Sequence, residues 1–406
     1  MTRYGRSYWI ARAAKSQQLS FTRFRGPMVT DVVIIGGGLT GCAAAYLFAA
    51  AGIKTCLFEA GLVGHGATAS GSGAVRPQPP VSFEALQRAY GRRAARQTWE
   101  MTRLAALDLA ALLRRLSIRC DLEARDWLVA ARGAASVRDL ARAHKSAEAA
   151  GIDAVWFRPT RLDKEMAVEA DGALKTQGGA HIDPYRACLG FAKAAVARGA
   201  RIYDRSPVAR IRSDRAGVEI QTDGGSAAAR AVVVATGEPG PLFKPLGRHF
   251  TVRHTYLAAT PPLDAALRRQ LGRRDVVMGD AAAPSRTIAW TRDERIIVTG
   301  GDQSVVPERR RAKALVQRTG QLMYELSLLH PPISGVLPEL GWDTRVALTP
   351  DGLLVAGPHR NFPHHLFALG LGHQGPAASL LAGRILFRHF TGAPEPGDEW
   401  FGFGRR

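Results

Sequence analysis

The stretch 31–59 constrains the fold of this 406-residue chain more than any other. Residues Val32 to Ile35 are apolar and β-branched, which predicts a short buried strand. A G-x-G-x-x-G pattern follows at Gly36, Gly38 and Gly41, and an Ala-rich helical stretch comes next. In such a turn the first glycine permits the tight bend and the second lets the backbone approach a pyrophosphate. The third lets the helix pack closely on the strand.

Glu59 completes this pattern. It directly follows a second predicted strand, 54–58, and lies 18 residues past Gly41. A carboxylate at this position can bind the two hydroxyls of an adenosine ribose. The helix N-terminus offers free N–H groups and a partial positive charge to phosphates. A membrane helix is the alternative for this apolar segment, but three consecutive glycines would badly weaken one. The stretch therefore predicts a dinucleotide-binding βαβ unit.

Composition limits the remaining function classes. The chain is 46% apolar and long enough for two domains, and no other segment is long and apolar enough to span a bilayer. Its formal charge is +20, but the arginines are scattered, so solvated helix faces explain them better than a nucleic-acid surface; an acidic substrate or partner remains possible. The four cysteines show no metal-binding spacing, so we expect no metal and a reducing, cytoplasmic setting.

Further along the chain, helical and strand patterns alternate. Apolar spacing predicts helices over 83–116, 137–150, 184–198 and 309–329, and a final helix to about Phe390. Strands are predicted at Val208–Ile211, Val218–Gln221 and Arg230–Ala235, read together as one three-strand hairpin excursion. Residues 249–304 alternate as antiparallel strands do.

Four motifs in this order point to one family. They are GGGLTG with Glu59, the small-residue loop GATASGSG, the strand ending VVVATG, and the C-terminal TPDGLLVAG followed by GLGHQG. The chain resembles the FAD-dependent amine and amino-acid oxidoreductases of the D-amino-acid oxidase/glycine oxidase superfamily over nearly its whole length. It is most similar to the γ-glutamylputrescine-oxidase-like branch, whose members also carry a Tyr-Trp arm before the first strand, as Tyr8-Trp9 does here.

The resemblance implies an α/β fold of two domains (α+β in its arrangement). A Rossmann-like FAD-binding domain would comprise 28–117, 176–245 and 340–392. A discontinuous antiparallel-sheet substrate domain would comprise 118–175 and 246–339, and residues 1–27 would form an N-terminal arm.

The resemblance also implies which residues hold FAD. The glycine turn would bind the pyrophosphate, Glu59 the ribose, the small-residue loop the diphosphate and ring, and the C-terminal motif the pyrimidine end of the isoalloxazine. The residues implied are Gly36, Gly38, Leu39, Thr40, Gly41, Glu59, Ala67, Thr68, Ser72, Val208, Ala235, Thr236, Gly237, Gly372, His373, Gln374 and Gly375. Because no cysteine lies near the C-terminal motif, we expect noncovalent FAD; His65 could form a histidyl link in principle.

The family chemistry is hydride transfer from an amine-bearing carbon to flavin N5, which gives an imine and then a carbonyl product. Flavin carries that chemistry, so no protein base is nominated. The expected partners are a small amine or amino acid and oxygen or another electron acceptor. Arg345 is the candidate carboxylate-binding residue because a planar two-pronged cation suits that task. Trp290 and His373 are candidates for the pocket wall.

Three alternatives remain open at this stage. An NAD-linked dehydrogenase shares the opening motif, although the C-terminal motif argues against it. An FAD protein of RNA modification would give the +20 charge a purpose. A non-catalytic binding subunit would keep the fold without bleaching by any amine.

Overall fold

The computed structural model describes residues 1–14, 19–281 and 286–405. The α-helices are α1 (Tyr8–Arg12), α2 (Leu39–Ala50), α3 (Ala67–Ser70), α4 (Phe83–Arg115), α5 (Ala134–Ala149), α6 (Pro159–Met166), α7 (Pro184–Ala197), α8 (Ala265–Gln270), α9 (Glu308–Leu329) and α10 (Gly375–Thr391). The strands are β1 (Arg3–Tyr4), β2 (Met28–Val29), β3 (Val32–Ile35), β4 (Thr55–Phe58), β5 (Ala74–Val75), β6 (Glu123–Ala131), β7 (Val155–Phe157), β8 (Gly172–His181), β9 (Arg201–Tyr203), β10 (Val208–Ser213), β11 (Val218–Thr222), β12 (Gly225–Ala229), β13 (Ala231–Gly237), β14 (Thr251–Ala259), β15 (Val276–Asp280), β16 (Thr287–Trp290), β17 (Ile296–Ser304), β18 (Leu340–Leu348), β19 (Val355–His359) and β20 (Phe362–Leu369).

A six-stranded sheet forms the centre of the nucleotide half, in the order β19-β20-β13-β3-β4-β9. Neighbouring strands from β20 to β9 run parallel, and β19 is antiparallel at one edge. All four residues of β3 are buried, because both faces of the sheet are covered. Val32 and Ile34 pack in the core under α2, α7 and α10, whereas Val33 and Ile35 pack against the four-stranded sheet β10-β11-β12-β2. The predicted βαβ unit is therefore present.

The hairpin expectation for the segment 208–235 needs a correction. The third strand of the hairpin excursion is Gly225–Ala229, which pairs with β11. Ala231–Gly237 is instead a central strand of the six-stranded sheet. Its run of buried valines is typical of a strand that is covered on both faces, not of a hairpin strand with one solvent-exposed face.

A ten-stranded sheet forms the other half, in the order β1-β18-β14-β17-β16-β15-β6-β8-β5 with β7 paired to β8. One face buries Tyr256, Ile288 and Val298 in a second core with α9. The opposite face looks toward the six-stranded sheet. Strands β1, β5 and β18 join this sheet although they lie outside the ranges 118–175 and 246–339 expected for the substrate domain.

The N-terminal segment packs on the body of the protein. Strand β1 pairs with β18, and Ser7 caps α1 by accepting a hydrogen bond from the backbone N–H of Ile10 at 3.4 Å. Tyr8 and Trp9, the two aromatic residues of α1, are buried in the core that also contains α2 and α7. Their position brings the arm next to the small-residue loop around α3.

Candidate cofactor and substrate site

A cavity lies between the carboxyl ends of the parallel strands and the open face of the ten-stranded sheet. Its walls include Gly36 after β3, Glu59 after β4 and the end of β13. In open α/β sheets, ligands bind in the crevice outside the carboxyl ends of the strands. The far end is formed by strands of the ten-stranded sheet, including Trp127 of β6 and Thr287 of β16. The cavity is thus long, with a nucleotide end and a sheet end.

Most residues expected to hold the cofactor line this cavity. Those that do are Gly36, Gly38, Leu39, Thr40, Glu59, Ala67, Thr68, Ser72, Val208, Ala235, Thr236, Gly237, Gly372, His373 and Gly375. Gly41 and Gln374 are outside the lining. A Cβ on Gly41 would stand 1.9 Å from the carbonyl oxygen of Gly36, so this glycine serves helix–strand packing. Gln374 is buried and donates from Nε2 to the carbonyl oxygen of Gly352 at 3.0 Å.

The start of α2 is built to receive an anion. Gly38 caps the helix without a side chain, and a Cβ there would meet only Oγ1 of Thr68, at 3.2 Å. That hydroxyl accepts a hydrogen bond from the backbone N–H of Leu39 at 2.8 Å, which fixes the small-residue loop against the helix. Glu59 accepts from the backbone N–H groups of Gly37 and Gly61, both at 2.7 Å, which holds its carboxylate at the cavity edge. Open backbone and helix dipole together favour phosphate binding here.

Three buried aromatic side chains fix the loop after α3. Trp342 donates to the carbonyl oxygen of Ser70 at 3.0 Å, and Trp9 donates to that of Gly71 at 2.7 Å. Nε2 of His181 lies 3.0 Å from the carbonyl oxygen of Ser72, which requires that nitrogen to carry a proton. Burial lowers the pKa of His181 to about 4, so the ring is neutral near pH 7. The arm residue Trp9 is therefore part of the support for the cofactor loop.

Threonines dominate the sheet end of the cavity. Thr255 on β14 pairs in register with Thr344 on β18, and Thr287 on β16 pairs with Thr299 on β17. All four line the cavity together with Leu257 and Val346. Because successive side chains of a strand point to opposite faces, every second residue reaches the cavity and the others reach the core under α9.

His373 is held by an acid that the motifs did not indicate. Its Nε2 lies 2.6 Å from Oδ2 of Asp302, and Thr255 donates its hydroxyl to Oδ1 of the same carboxylate. Burial by itself would raise the pKa of Asp302, but its hydrogen bonds with His373 and Thr255 hold it below its ordinary value. The carboxylate therefore stays ionised and fixes the imidazole ring.

The structure does not bring Arg345 or Trp290 to the cavity. Thr344 and Val346 occupy the cavity side of β18, so Arg345 takes the other side, where 53% of its side chain is exposed and Nη2 pairs with Glu238 at 2.9 Å. Trp290 packs in the core under α9. The two placements have the same physical cause: each residue lies on a strand that reaches the cavity, and the pleat turns its side chain to the opposite face.

His65 and the cysteines also lie apart from the cavity wall. Nε2 of His65 is 3.2 Å from the Tyr185 hydroxyl, and burial lowers the pKa of His65. The cysteines are all buried and free, and none is a lining residue. In the described part of the chain, no three His, Cys, Asp or Glu side chains are grouped as a metal site needs. None of the described helices combines the length and apolar composition that crossing a membrane requires.

Comparison with known proteins now identifies the family. The model of the family described as FAD dependent oxidoreductase (DAO) matches residues 31–388. The chain belongs to this family. The expected family, fold and cofactor are thereby confirmed, and the protein is an FAD-dependent oxidoreductase.

Relatives cover almost the whole chain. γ-Glutamylputrescine oxidoreductase of Escherichia coli is 26% identical over 402 residues, spanning 98% of this chain and 92% of its own. Glycine oxidase of Bacillus licheniformis is 25% identical over 390 residues, spanning 91% and 95%. Among solved structures, glycine oxidase from Geobacillus kaustophilus has a TM-score of 0.77 at 21% identity, covering 94% of this chain and all of that one. An L-α-glycerophosphate oxidase from Mycoplasma pneumoniae with FAD bound has a TM-score of 0.73 at 16% identity, covering 93% and 98%.

The cavity fits the cofactor of this DAO family. The nucleotide end has the glycine turn, a helix N-terminus without a side-chain cap and a carboxylate after the second strand. Small residues line the middle, including Gly66, Gly71, Gly73 and Ala74, which leave space for a flat ring. The motifs missed the sheet end, and only the alternation of residues within 249–304 and 340–348 could have pointed to it. No local signal pointed to Asp302.

Proposed function

We propose that this enzyme oxidises the C–N bond of a small amine or amino acid bound between FAD and the ten-stranded sheet. When bound, FAD would supply the acceptor for the hydride that leaves the amine-bearing carbon. Oxygen or another acceptor would then take the electrons. The names of glycine oxidase and γ-glutamylputrescine oxidoreductase support this class of substrate.

The threonine wall carries this proposal. The hydroxyls of Thr255, Thr287, Thr299 and Thr344 can all accept hydrogen bonds from N–H groups. Those of Thr287 and Thr299 can also donate to a nitrogen lone pair, whereas the Thr255 proton is already donated to Asp302. The acid nearest to this wall, Asp302, is already bonded to His373 and Thr255. The one carboxylate among the described lining residues, Glu59, lies at the nucleotide end and accepts from two backbone N–H groups. A protonated ammonium group at the threonine wall would therefore find no carboxylate free to pair with it. The wall favours the neutral amine, which is the form able to lose a hydride.

Orientation is the protein's main contribution. His373 is fixed by Asp302, the cofactor loop is fixed by Trp9 and Trp342, and the ten-stranded sheet forms the far end of the cavity. Holding reactants in one geometry can supply several kcal/mol of the barrier reduction, about 7–11 kcal/mol in the best cases. We assign the reaction to the cytoplasm, an assignment supported by the free cysteines.

Anaerobic bleaching tests the proposal. The FAD-loaded protein would be mixed with a panel of primary and secondary amines and amino acids, and with hydroxy analogues in which oxygen replaces nitrogen. We expect the flavin absorption band to bleach with at least one amine and not with its hydroxy analogue. Bleaching by a hydroxy acid or a glycerol phosphate alone would contradict the proposal, since the same fold also serves a glycerophosphate oxidase.

A further inference from the structure

Arg76 is a buried cation without a counter-charge. It follows β5, is 8% exposed, and its Nε has no hydrogen-bond partner among the described residues. No ion pair or hydrogen bond of its other nitrogens is found there either. Its guanidinium stacks on Trp127, with Cζ 4.3 Å from the ring centroid. Burial lowers the pKa of Arg76 to about 10, so the group is still charged near pH 7.

Stacking on Trp127 does not replace the missing partner. The attraction of a cation–π contact is smaller than the cost of leaving a charge uncompensated in the protein interior. The five N–H donors of a guanidinium also remain available in a fixed fork. Buried arginines are therefore normally paired with an anion, and this one points to a ligand.

Two more buried donors at the sheet end of the cavity lack partners within the described ranges. Nε1 of Trp127 and Oγ1 of Thr299 have no partner in the described chain, and both residues line the sheet end of the cavity. An indole N–H and a guanidinium can only donate, so the missing ligand is rich in acceptors. Arg76 itself is not a lining residue, but its guanidinium stacks on Trp127, which is one. Ala74, two residues before Arg76, also lines the cavity, and residues two apart on an extended chain share a face.

We propose that Arg76 and Trp127 form an anion subsite at the sheet end of the cavity, and that it binds the carboxylate of the substrate. The inference rests on the proposed function and narrows its substrate class to amino acids and other carboxylated amines. It gives Arg76, on the loop after the cofactor-binding segment, the role that sequence position suggested for Arg345. The planar fork would bind the carboxylate with two parallel hydrogen bonds.

The subsite can be tested without turnover. Acetate and benzoate, with acetamide and benzamide as neutral isosteres, would be titrated into FAD-loaded protein and followed by the flavin absorption spectrum. We expect Arg76→Met to weaken acid binding about thirtyfold or more, or about 2 kcal/mol at about 1.4 kcal/mol per factor of ten, while amide binding changes little. Arg76→Lys should recover part of the affinity, since charge returns without the fork.

Trp127→Phe provides a second, milder variant should Arg76→Met fold poorly. It keeps the ring under Arg76 and removes one N–H, so acid binding should weaken about three- to tenfold. Arg345→Met, measured in the same assay, tests the alternative that Arg345 binds the carboxylate.

Each contrary result has a distinct meaning. Wild-type affinity for the acids in both Arg76→Met and Trp127→Phe would overturn the proposal, as would wild-type protein that binds neither acid. Weakened binding in Arg345→Met instead would move the carboxylate site to that residue. Loss of FAD from Arg76→Lys would make Arg76 a cofactor ligand and overturn its substrate role. Failure of every amine to bleach the flavin, with acid binding intact, would refute the proposed function and leave the anion subsite standing.

Discussion

Gly38 offers a way to remove the cofactor without disturbing the fold. Its φ of −75° is accessible to any residue, and a Cβ there would meet only the Thr68 hydroxyl, at 3.2 Å. Gly36 is the matched contrast, because its φ is +106° and its Cβ would stand 2.5 Å from the carbonyl oxygen of Ala235. Gly38→Ala should therefore affect mainly FAD binding, whereas Gly36→Ala should affect mainly the stability of the fold.

The magnitudes follow from these contacts. We expect Gly38→Ala to change the free energy of unfolding of the apoprotein by less than about 1 kcal/mol, as replacements at a helix N-cap do. A methyl group at the open N-terminus of α2 would displace the pyrophosphate from about two charge-assisted hydrogen bonds of about 1.5–3 kcal/mol each. FAD affinity should then fall by about 10²–10⁴. Gly36→Ala should cost the apoprotein about 2–5 kcal/mol from left-handed backbone strain and overpacking together.

Denaturant unfolding of the apoproteins and FAD titration by quenching of flavin fluorescence measure the two quantities separately. Wild-type FAD affinity in Gly38→Ala would refute the idea that this glycine keeps the pyrophosphate site open. An apoprotein destabilised as much by Gly38→Ala as by Gly36→Ala would refute the separation of ligand and fold.

Two further predictions concern the cofactor bond and acid stability. Acid precipitation should release FAD into the supernatant, because no cysteine lines the cavity and His65 lies against Tyr185; yellow precipitate would show a covalent link instead. Burial lowers the pKa of His181 and of His330 from 6.5 to about 4, so the unfolded state binds more protons below pH 6.5. Stability of the apoprotein should therefore be complete above pH 6.5 and fall toward pH 4, with each histidine contributing a slope of up to about 1.4 kcal/mol per pH unit. In denaturant titrations at several pH values, the free energy of unfolding should depend less steeply on pH in His330→Asn than in the wild type. Replacement of the exposed His364 by Asn should leave the pH dependence unchanged, and equal slopes in the two variants would contradict the assignment.

The nucleotide half was predictable because its information is local. Strand, glycine turn, helix and Glu59 lie within 31–59, and each glycine has a steric reason that can be derived from the chain itself. The one topological error there, the assignment of 230–235 to a hairpin, came from proximity in sequence. The buried valines of that strand were the better guide.

The substrate half was predictable only in outline. Its wall takes single residues from strands far apart in the chain, such as Thr255, Thr299 and Thr344. One residue of register separates Thr344 in the cavity from Arg345 in solvent, and nothing local in the sequence fixes which of the two faces inward. Arg76 was visible only as a residue before a proline, since neither its burial nor its lack of partners can be read from composition.

The contact between α2 and α10 has a consequence for how the protein acquires its cofactor. Oγ1 of Thr40 donates to Oγ of Ser379 at 3.0 Å across 339 residues, and both side chains line the cavity. The glycine turn, although complete in sequence at residue 41, thus lacks its opposite wall until the last helix has been synthesised and docked. Contacts at such separation form late because the intervening chain must first be ordered. FAD capture should therefore be a final step of folding, and excess FAD should then stabilise the docked state by mass action.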